Sequence, residues 1–388
     1  MYDLAVVGGG PAGLHLAFRM AEAGYATVLF DSRPEIGSRR ICTGIIGTEA
    51  FERFKLPRQS ILGGIQSLRF ISPAGTALDY RHSSLLAHIV DRSRFDQDLA
   101  RRAQDAGVRI ATGRRVRTLS VHQRGVRIET DVHWQLSESS VWESSLVALA
   151  TGVGSSLNRM AGLGHPSAFM HAVQAHVPVI EGLRHTYCFA GHEIAPGGFG
   201  WMVPVNGHAR VGLMADRDAR DRFTRLLERI APFRLDPEIH VAASYKRIAQ
   251  AFTGYSFADR AVAVGEAAGQ VKTTTGGGIY YALLGAEHAY TVLSRALRNG
   301  RWDAGCLSEY ERLWKAQLGQ EQSTGLYYRR LLTGLSDSKL ETLFRLAKIN
   351  GIIPLVRRTA DFDWHRNVLT SVGRYGLVRR LLGLAQET

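Results

Sequence analysis

Glycines 8, 10 and 13 stand in Gly8-Gly9-Gly10-Pro11-Ala12-Gly13, between an apolar run from Tyr2 to Val7 and a helix-like stretch from Ala12 to Ala23. A dinucleotide pyrophosphate asks this spacing of a backbone: Gly8 for a tight turn, Gly10 for close approach of the phosphates, Gly13 for close packing of helix on strand. The helix N-terminus adds partial positive charge where the phosphates would lie. A second apolar run, Ala26 to Phe30, ends at Asp31, whose carboxylate can accept hydrogen bonds from an adenosine ribose. Three spaced glycines alone also suit a purely structural turn. Strand, turn, helix, strand and acid in this order point to dinucleotide binding.

A second constellation lies far downstream. The apolar strand Ala261 to Val264 meets Gly265-Glu266, and Thr273-Thr274-Thr275-Gly276-Gly277-Gly278 opens a long helix reaching about Leu297. Two anchors suit one extended ligand with two polar ends, and FAD is such a ligand. Glu266 would hold a ribityl hydroxyl, while the N–H groups of Gly277, Gly278 and Ile279 would stabilise negative charge on a reduced isoalloxazine ring. The alternative is a helix cap packed by glycines.

Together with Val90-Asp91-Arg92-Ser93-Arg94-Phe95-Asp96 and Gly265-Glu266-Ala267-Ala268-Gly269, these segments resemble the geranylgeranyl reductase family of FAD-dependent oxidoreductases, within the aromatic-hydroxylase-like flavoproteins. The resemblance covers nearly the whole chain. It implies Ala12, Asp31, Arg92, Glu266, Gly278 and Ile279 as flavin contacts, with a backbone contact at Val116. The family also places a cysteine beside the flavin where this chain has Arg39-Arg40-Ile41-Cys42-Thr43-Gly44. Cys42 is therefore a candidate proton donor, Arg40 and Cys42 candidate cofactor contacts, and a buried apolar filler the competing reading of the thiol. Phe199-Gly200-Trp201 resembles the family's aromatic wall over the flavin, and Tyr187 with Phe189 forms a similar pair. The implied activity is reduction of a carbon–carbon double bond in an isoprenoid chain by reduced flavin, with NADPH or ferredoxin as electron donor. A flavin monooxygenase or halogenase acting on an aromatic compound is the alternative, and a non-catalytic flavin or lipid carrier a third reading. Two departures bear on the pocket edge: Glu266 replaces the family's usual Asp, and Lys272-Thr273-Thr274 replaces a proline-containing loop.

These residues need elements to hold them. The expected fold is α/β: a Rossmann-type FAD domain from discontinuous segments 1–65, 86–164 and 259–300, an antiparallel-sheet substrate domain from 66–85 and 165–258, and a helical region at 301–388. Gln66 to Tyr80 alternates like a hairpin turning at Pro73-Ala74-Gly75, and Asp91 to Gly107 reads as an amphipathic helix capped by Asp91. The 388 residues, 45% hydrophobic and 21% charged, suffice for two domains or three and exclude disorder.

Lys and Arg number 48 against 35 Asp and Glu, a net charge of +13. The arginine pairs are dispersed and lack interleaved aromatics, so no nucleic-acid partner is expected. Three cysteines, Cys42, Cys188 and Cys306, make neither a disulfide framework nor a metal site, and no metal is expected. With neither a signal-peptide pattern nor a long apolar stretch, the expected location is cytoplasmic, in peripheral contact with a membrane surface. Leu331, Leu332, Leu335, Leu340, Leu343, Leu346 and Ile349, among nine arginines from Arg329 onward, would form either a membrane-facing stripe or a cap on the flavin domain.

Overall fold

Tyr2–Val7 and Thr27–Phe30 are apolar on both faces, which suits strands in the middle of a sheet covered from both sides. A computed structural model, describing residues 1–38, 42–132, 135–180, 182–236, 241–349 and 352–383, pairs them in parallel. The sheet runs Phe257–Ala258, Ala261–Ala263, Gln135–Leu149, Tyr2–Val7, Thr27–Phe30 and Arg109–Ala111, parallel except at the first pair. Alternation divides its side chains. Leu4, Val6, Leu29 and Val262 pack under the helices Pro11–Glu22, Arg92–Asp105 and Ile279–Asn299. Ala5, Val7, Val28 and Phe30 meet the antiparallel strands Arg114–His122 and Gly125–Val132 on the other face. Phe257–Ala258 belongs to this sheet, so the nucleotide unit resumes two residues before the boundary read at 259.

The second sheet has seven strands, in the order Ser244–Thr253, His165–Pro178, His208–Ala215, Phe199–Val205, Thr186–Phe189, Ser67–Ile71 and Ala77–Arg81. Its pairs are antiparallel except Thr186–Phe189 with Ser67–Ile71, where a hairpin from the first half of the chain is added in parallel. One face packs against the helix Ala219–Arg229 through Val211, Leu213, Phe223 and Leu226. The other faces the nucleotide unit.

A small sheet of Ile45–Gly47, Ala87–Val90 and Ile61–Ile65 bridges the two units. The segment from Ser38 to Ser60 contains the helix Thr48–Phe54, because Ala50, Phe51 and Phe54 share a buried face. Ala304–Thr333 is capped by Asp303, which accepts from the Cys306 amide at 3.0 Å, and buries Leu307, Tyr310, Trp314 and Leu318. The helices Asp337–Ile349, Ile352–Thr359 and Arg366–Gly373 follow over the open face of the second sheet. Tethers fix them there: the His192 amide donates to Asp337 at 2.9 Å, and Ala74 and Thr76 donate to Glu341.

Candidate active site

Between the two sheets, under these helices, lies a cavity of about 1320 Å³. Both glycine motifs open into it. Gly8 has φ +116°, and a Cβ there would lie 2.3 Å from the Ala150 carbonyl oxygen; at Gly13 it would lie 2.0 Å from the carbonyl oxygen of Gly8. Folding alone demands these two glycines. Gly10 differs: its φ of −92° is ordinary, and a Cβ would meet nothing within 4 Å. The space before Gly10 is cavity, so only a ligand needs that position bare, which fits a pyrophosphate at the helix N-terminus. Ala12 also lines the cavity, whereas Gly13 stays in the packed turn behind it.

Asp31 shapes the same turn. Its Oδ2 accepts from the Gly9 amide at 2.8 Å and from Arg33 Nη2 at 2.6 Å, while Oδ1 accepts from the Arg33 amide and Nε, each at 2.9 Å. Burial alone would raise its pKa, but the hydrogen bonds and charge of Arg33 and the Gly9 amide outweigh burial and hold the carboxyl below its usual range. Val116 lines the same end of the cavity.

The second anchor abuts the first. Gly265 has φ +69°, and a Cβ there would lie 2.9 Å from that of Ala12. Glu266 accepts from Lys246 Nζ at 2.7 Å at the cavity wall. Gly277, Gly278 and Ile279 also line the cavity, and Gly278 caps the helix Ile279–Asn299 without a side-chain hydrogen bond. The loop before them is pinned from the C-terminal helices. Lys272 Nζ donates to Asp363 Oδ1 at 2.7 Å and to the Phe362 carbonyl at 3.1 Å. Arg329 donates to the carbonyls of Thr273, Thr274 and Gly197, with burial drawing its pKa down to about 10. Arg329 thus lies against the cavity and not on the basic surface where sequence placed it. His365 Nε2 donates to the Phe362 carbonyl at 2.9 Å, leaving Nδ1 to accept from the Thr274 hydroxyl. Burial, reinforced by Lys272, pushes this imidazole down to about 4, so it is neutral at pH 7.

Cys42 lies half-buried on the cavity wall, its Sγ accepting from the Gly44 amide at 3.4 Å. Burial would raise the thiol pKa, but the guanidinium of Arg92, the Gly44 amide and the charge of Lys246 together lower it. Arg92, itself in the wall, is held by Asp96 at 2.7 and 3.0 Å. Arg40 lies outside the described residues. Cys188, also on the wall, has no such partner, and burial pushes it up to about 12. We expect iodoacetamide at neutral pH to modify Cys42 well before Cys188, read by mass spectrometry of the labelled peptides; equal labelling would contradict the assigned fields.

The face of the second sheet forms the cavity floor. One rung crosses it as Phe70, Cys188, Trp201, Gly212 and Gln174. The indole of Trp201 lies on Gly212, where a Cβ would come within 2.5 Å of it, and Phe199 stands beside it with ring centroids 5.8 Å apart. Gln174 Oε1 accepts from the Thr43 hydroxyl at 2.9 Å, so this end of the rung adjoins Cys42. Tyr187 and Phe189 fall on the opposite phase: both pack into the core beneath the helix Ala219–Arg229, and only Phe189 also borders the cavity. The strand instead presents Thr186 and Cys188 to the floor.

Comparison with known proteins agrees with this geometry. Residues 49–294 match the FAD dependent oxidoreductase family, and residues 6–48 the NAD(P)-binding Rossmann-like domain. The chain is 31% identical to a digeranylgeranylglycerophospholipid reductase of Methanocaldococcus jannaschii, over 88% of this chain and 90% of that one. In fold it is similar to a geranylgeranyl bacteriochlorophyll reductase-like protein from Thermoplasma acidophilum, with a TM-score of 0.85, 21% identity and 99% of each chain covered. A p-nitrophenol 4-monooxygenase from Pseudomonas putida has a TM-score of 0.71, 17% identity and coverage of 100% of this chain and 99% of its own.

Proposed function

Because this chain belongs to the family of FAD-dependent oxidoreductases, and within it groups with the geranylgeranyl reductases, we propose that it reduces carbon–carbon double bonds of an isoprenoid lipid. The observation that carries this reading is the continuity of the cavity. It passes from the glycine loops onto a sheet face lined by Leu68, Phe70, Phe199 and Trp201, under Leu340 and Phe344. At about 1320 Å³ it exceeds the roughly 300–1,000 Å³ of ordinary small-molecule sites, as a site for a dinucleotide and a long apolar chain must.

The residues present fit FAD: Gly10 leaves room at the pyrophosphate, Asp31 and Val116 stand at one end, and Glu266, Gly277, Gly278 and Ile279 at the other. When bound, FAD supplies the electron pair and one hydrogen for saturating the double bond. The protein's share is to keep the floor dry, align the chain, and supply a proton to the second carbon. Cys42 Sγ is our candidate for that proton, since the Arg92 guanidinium stabilises the thiolate left behind. NADPH or ferredoxin would reduce the flavin. Among the described residues no helix is long and apolar enough to cross a membrane. A lipid substrate nevertheless calls for surface contact, and Arg345, Arg357, Arg358 and Arg374, all exposed on the C-terminal helices, offer it electrostatically. Vesicle co-sedimentation indifferent to salt would argue against that contact.

The test of the reaction is anaerobic. Dithionite-reduced protein mixed with a geranylgeranyl lipid is expected to regain its oxidised flavin spectrum and yield a saturated product, and Cys42→Ser to slow this step by about 10²-fold or more while leaving flavin content unchanged. Oxygen uptake coupled to a hydroxylated or halogenated aromatic, with no reoxidation by the lipid, would favour the monooxygenase or halogenase alternative.

A further inference from the structure

One polar group on the cavity floor has no role in the chemistry above. Tyr80, on the edge strand Ala77–Arg81, is 4% exposed and lines the cavity, yet its hydroxyl has no hydrogen-bond partner among the described residues. Buried hydroxyls are nearly always paired, because leaving one unmade costs its full desolvation. Strand alternation explains its direction: Arg69 and Asp79 pair with each other on the outer face, so Leu68, Phe70 and Tyr80 turn inward. Its cross-strand neighbour Leu68 is apolar, and the ring of His82, 6.4 Å away between centroids, has its Nδ1 engaged by the Ser84 amide.

Its distance from the reacting end follows from the sheet order. The strand of Gln174, which adjoins Cys42 through Thr43, and the strand of Tyr80 are separated by five inter-strand steps. At about 4.8 Å per step this is about 24 Å along the sheet, a reach suited to an extended isoprenoid chain. Charge also reaches the far end. Val356 of the helix Ile352–Thr359 lines the cavity there, and the field of its exposed neighbour Arg357 reaches the Tyr80 hydroxyl. A hydrocarbon tip has no use for a donor in that place; an oxygen does.

Resting on the reductase reading above, we propose that the Tyr80 hydroxyl donates a hydrogen bond to an oxygen atom at the polar end of the isoprenoid substrate. It thereby sets which double bond lies beside Cys42. Tyr80 is a specificity-determining residue and takes no part in the bond changes themselves. A site built to pair an oxygen discriminates strongly against the analogue that lacks it.

The experiment compares FAD-loaded wild type with Tyr80→Phe, using geranylgeraniol and the hydrocarbon of equal length without the hydroxyl. We expect the half-saturating concentration of geranylgeraniol to rise about 5- to 10-fold in the variant, with no change for the hydrocarbon, an unchanged or higher Tm of the ligand-free protein, and a wider spread of saturated positions in the product. Equal loss for both ligands would make Tyr80 a packing residue, and no change for either would leave its hydroxyl to water; both overturn the proposal alone. If neither ligand reoxidises the reduced wild-type flavin, the reductase reading fails and this proposal with it.

Discussion

Replacing Gly10 with leucine is expected to give a folded but colourless protein. The backbone at Gly10 is ordinary for any residue, and the space ahead of its missing Cβ is open cavity. The cost to folding is therefore on the order of 1 kcal/mol, the usual effect of replacing a favoured N-cap residue by an apolar one, and too small to unfold the protein. A leucine side chain there would occupy the volume of the pyrophosphate and separate it from the helix N–H groups. A loss of about 3 kcal/mol or more, roughly a hundredfold in affinity, is the least expected. The matching control is Gly13→Leu, whose Cβ would lie 2.0 Å from a backbone oxygen and which should fail to fold. Flavin absorbance after gel filtration, with circular dichroism on the same sample, reads both. Stoichiometric FAD in the Gly10 variant would end the assignment of this loop to the pyrophosphate.

Asp363→Ala should lower stability by about 3–5 kcal/mol, the cost of leaving one member of a buried ion pair alone. Lys272 and Asp363 are only 6% and 3% exposed, and the Lys272 ammonium also sits over the Phe362 ring at 4.5 Å. Burial pushes the Asp363 carboxyl up, and the charge and hydrogen bond of Lys272 oppose that rise. The double variant Lys272→Met, Asp363→Leu should recover most of the loss, since a well-packed apolar pair often equals a buried ionic one. Urea unfolding of the three proteins gives the comparison. A single-variant loss below about 1 kcal/mol would mean that water reaches the orphaned ammonium. Because Lys272 begins the loop that ends in Gly277 and Gly278, weaker flavin binding should accompany the loss in stability.

Both glycine anchors were legible in the sequence because their information is local: a turn, a strand end and a helix start within a dozen residues. The placement of Asp31 and Glu266 followed from the same short units, whereas Arg92 came only from the family resemblance. Tyr187 was expected on the cavity wall but lies in the core, and Phe189 packs in the core while only bordering the cavity, for a definite reason. Both faces of their sheet are apolar, one against a helix and the other against the cavity, so hydrophobicity does not reveal the phase of alternation. Lys272 and Asp363 are 91 residues apart, and nothing in either neighbourhood announces the other. Arg329 looked like one more surface arginine because its partners are backbone carbonyls, which leave no trace in side-chain pattern. The C-terminal leucines admitted two readings, a membrane stripe or a cap; with Leu340 and Leu343 on the cavity wall and Leu335 buried, these three turn inward, while Leu332 borders the cavity and stays 37% exposed.

The parallel seam in the second sheet has a consequence for biosynthesis. Ser67 and Arg184, which share a hydrogen bond beside that seam, are 117 residues apart. The hairpin carrying Tyr80 is thus made early, but its native neighbour leaves the ribosome much later, after most of the nucleotide unit. Until then Ser67–Ile71 has a bare edge of amides and carbonyls facing solvent, the kind of edge that recruits strands from other chains. Such long-range parallel closure is intrinsically slow. The wait between the hairpin and its parallel partner is accordingly an interval of aggregation risk, and conditions that slow translation between residues 71 and 189 would lengthen it.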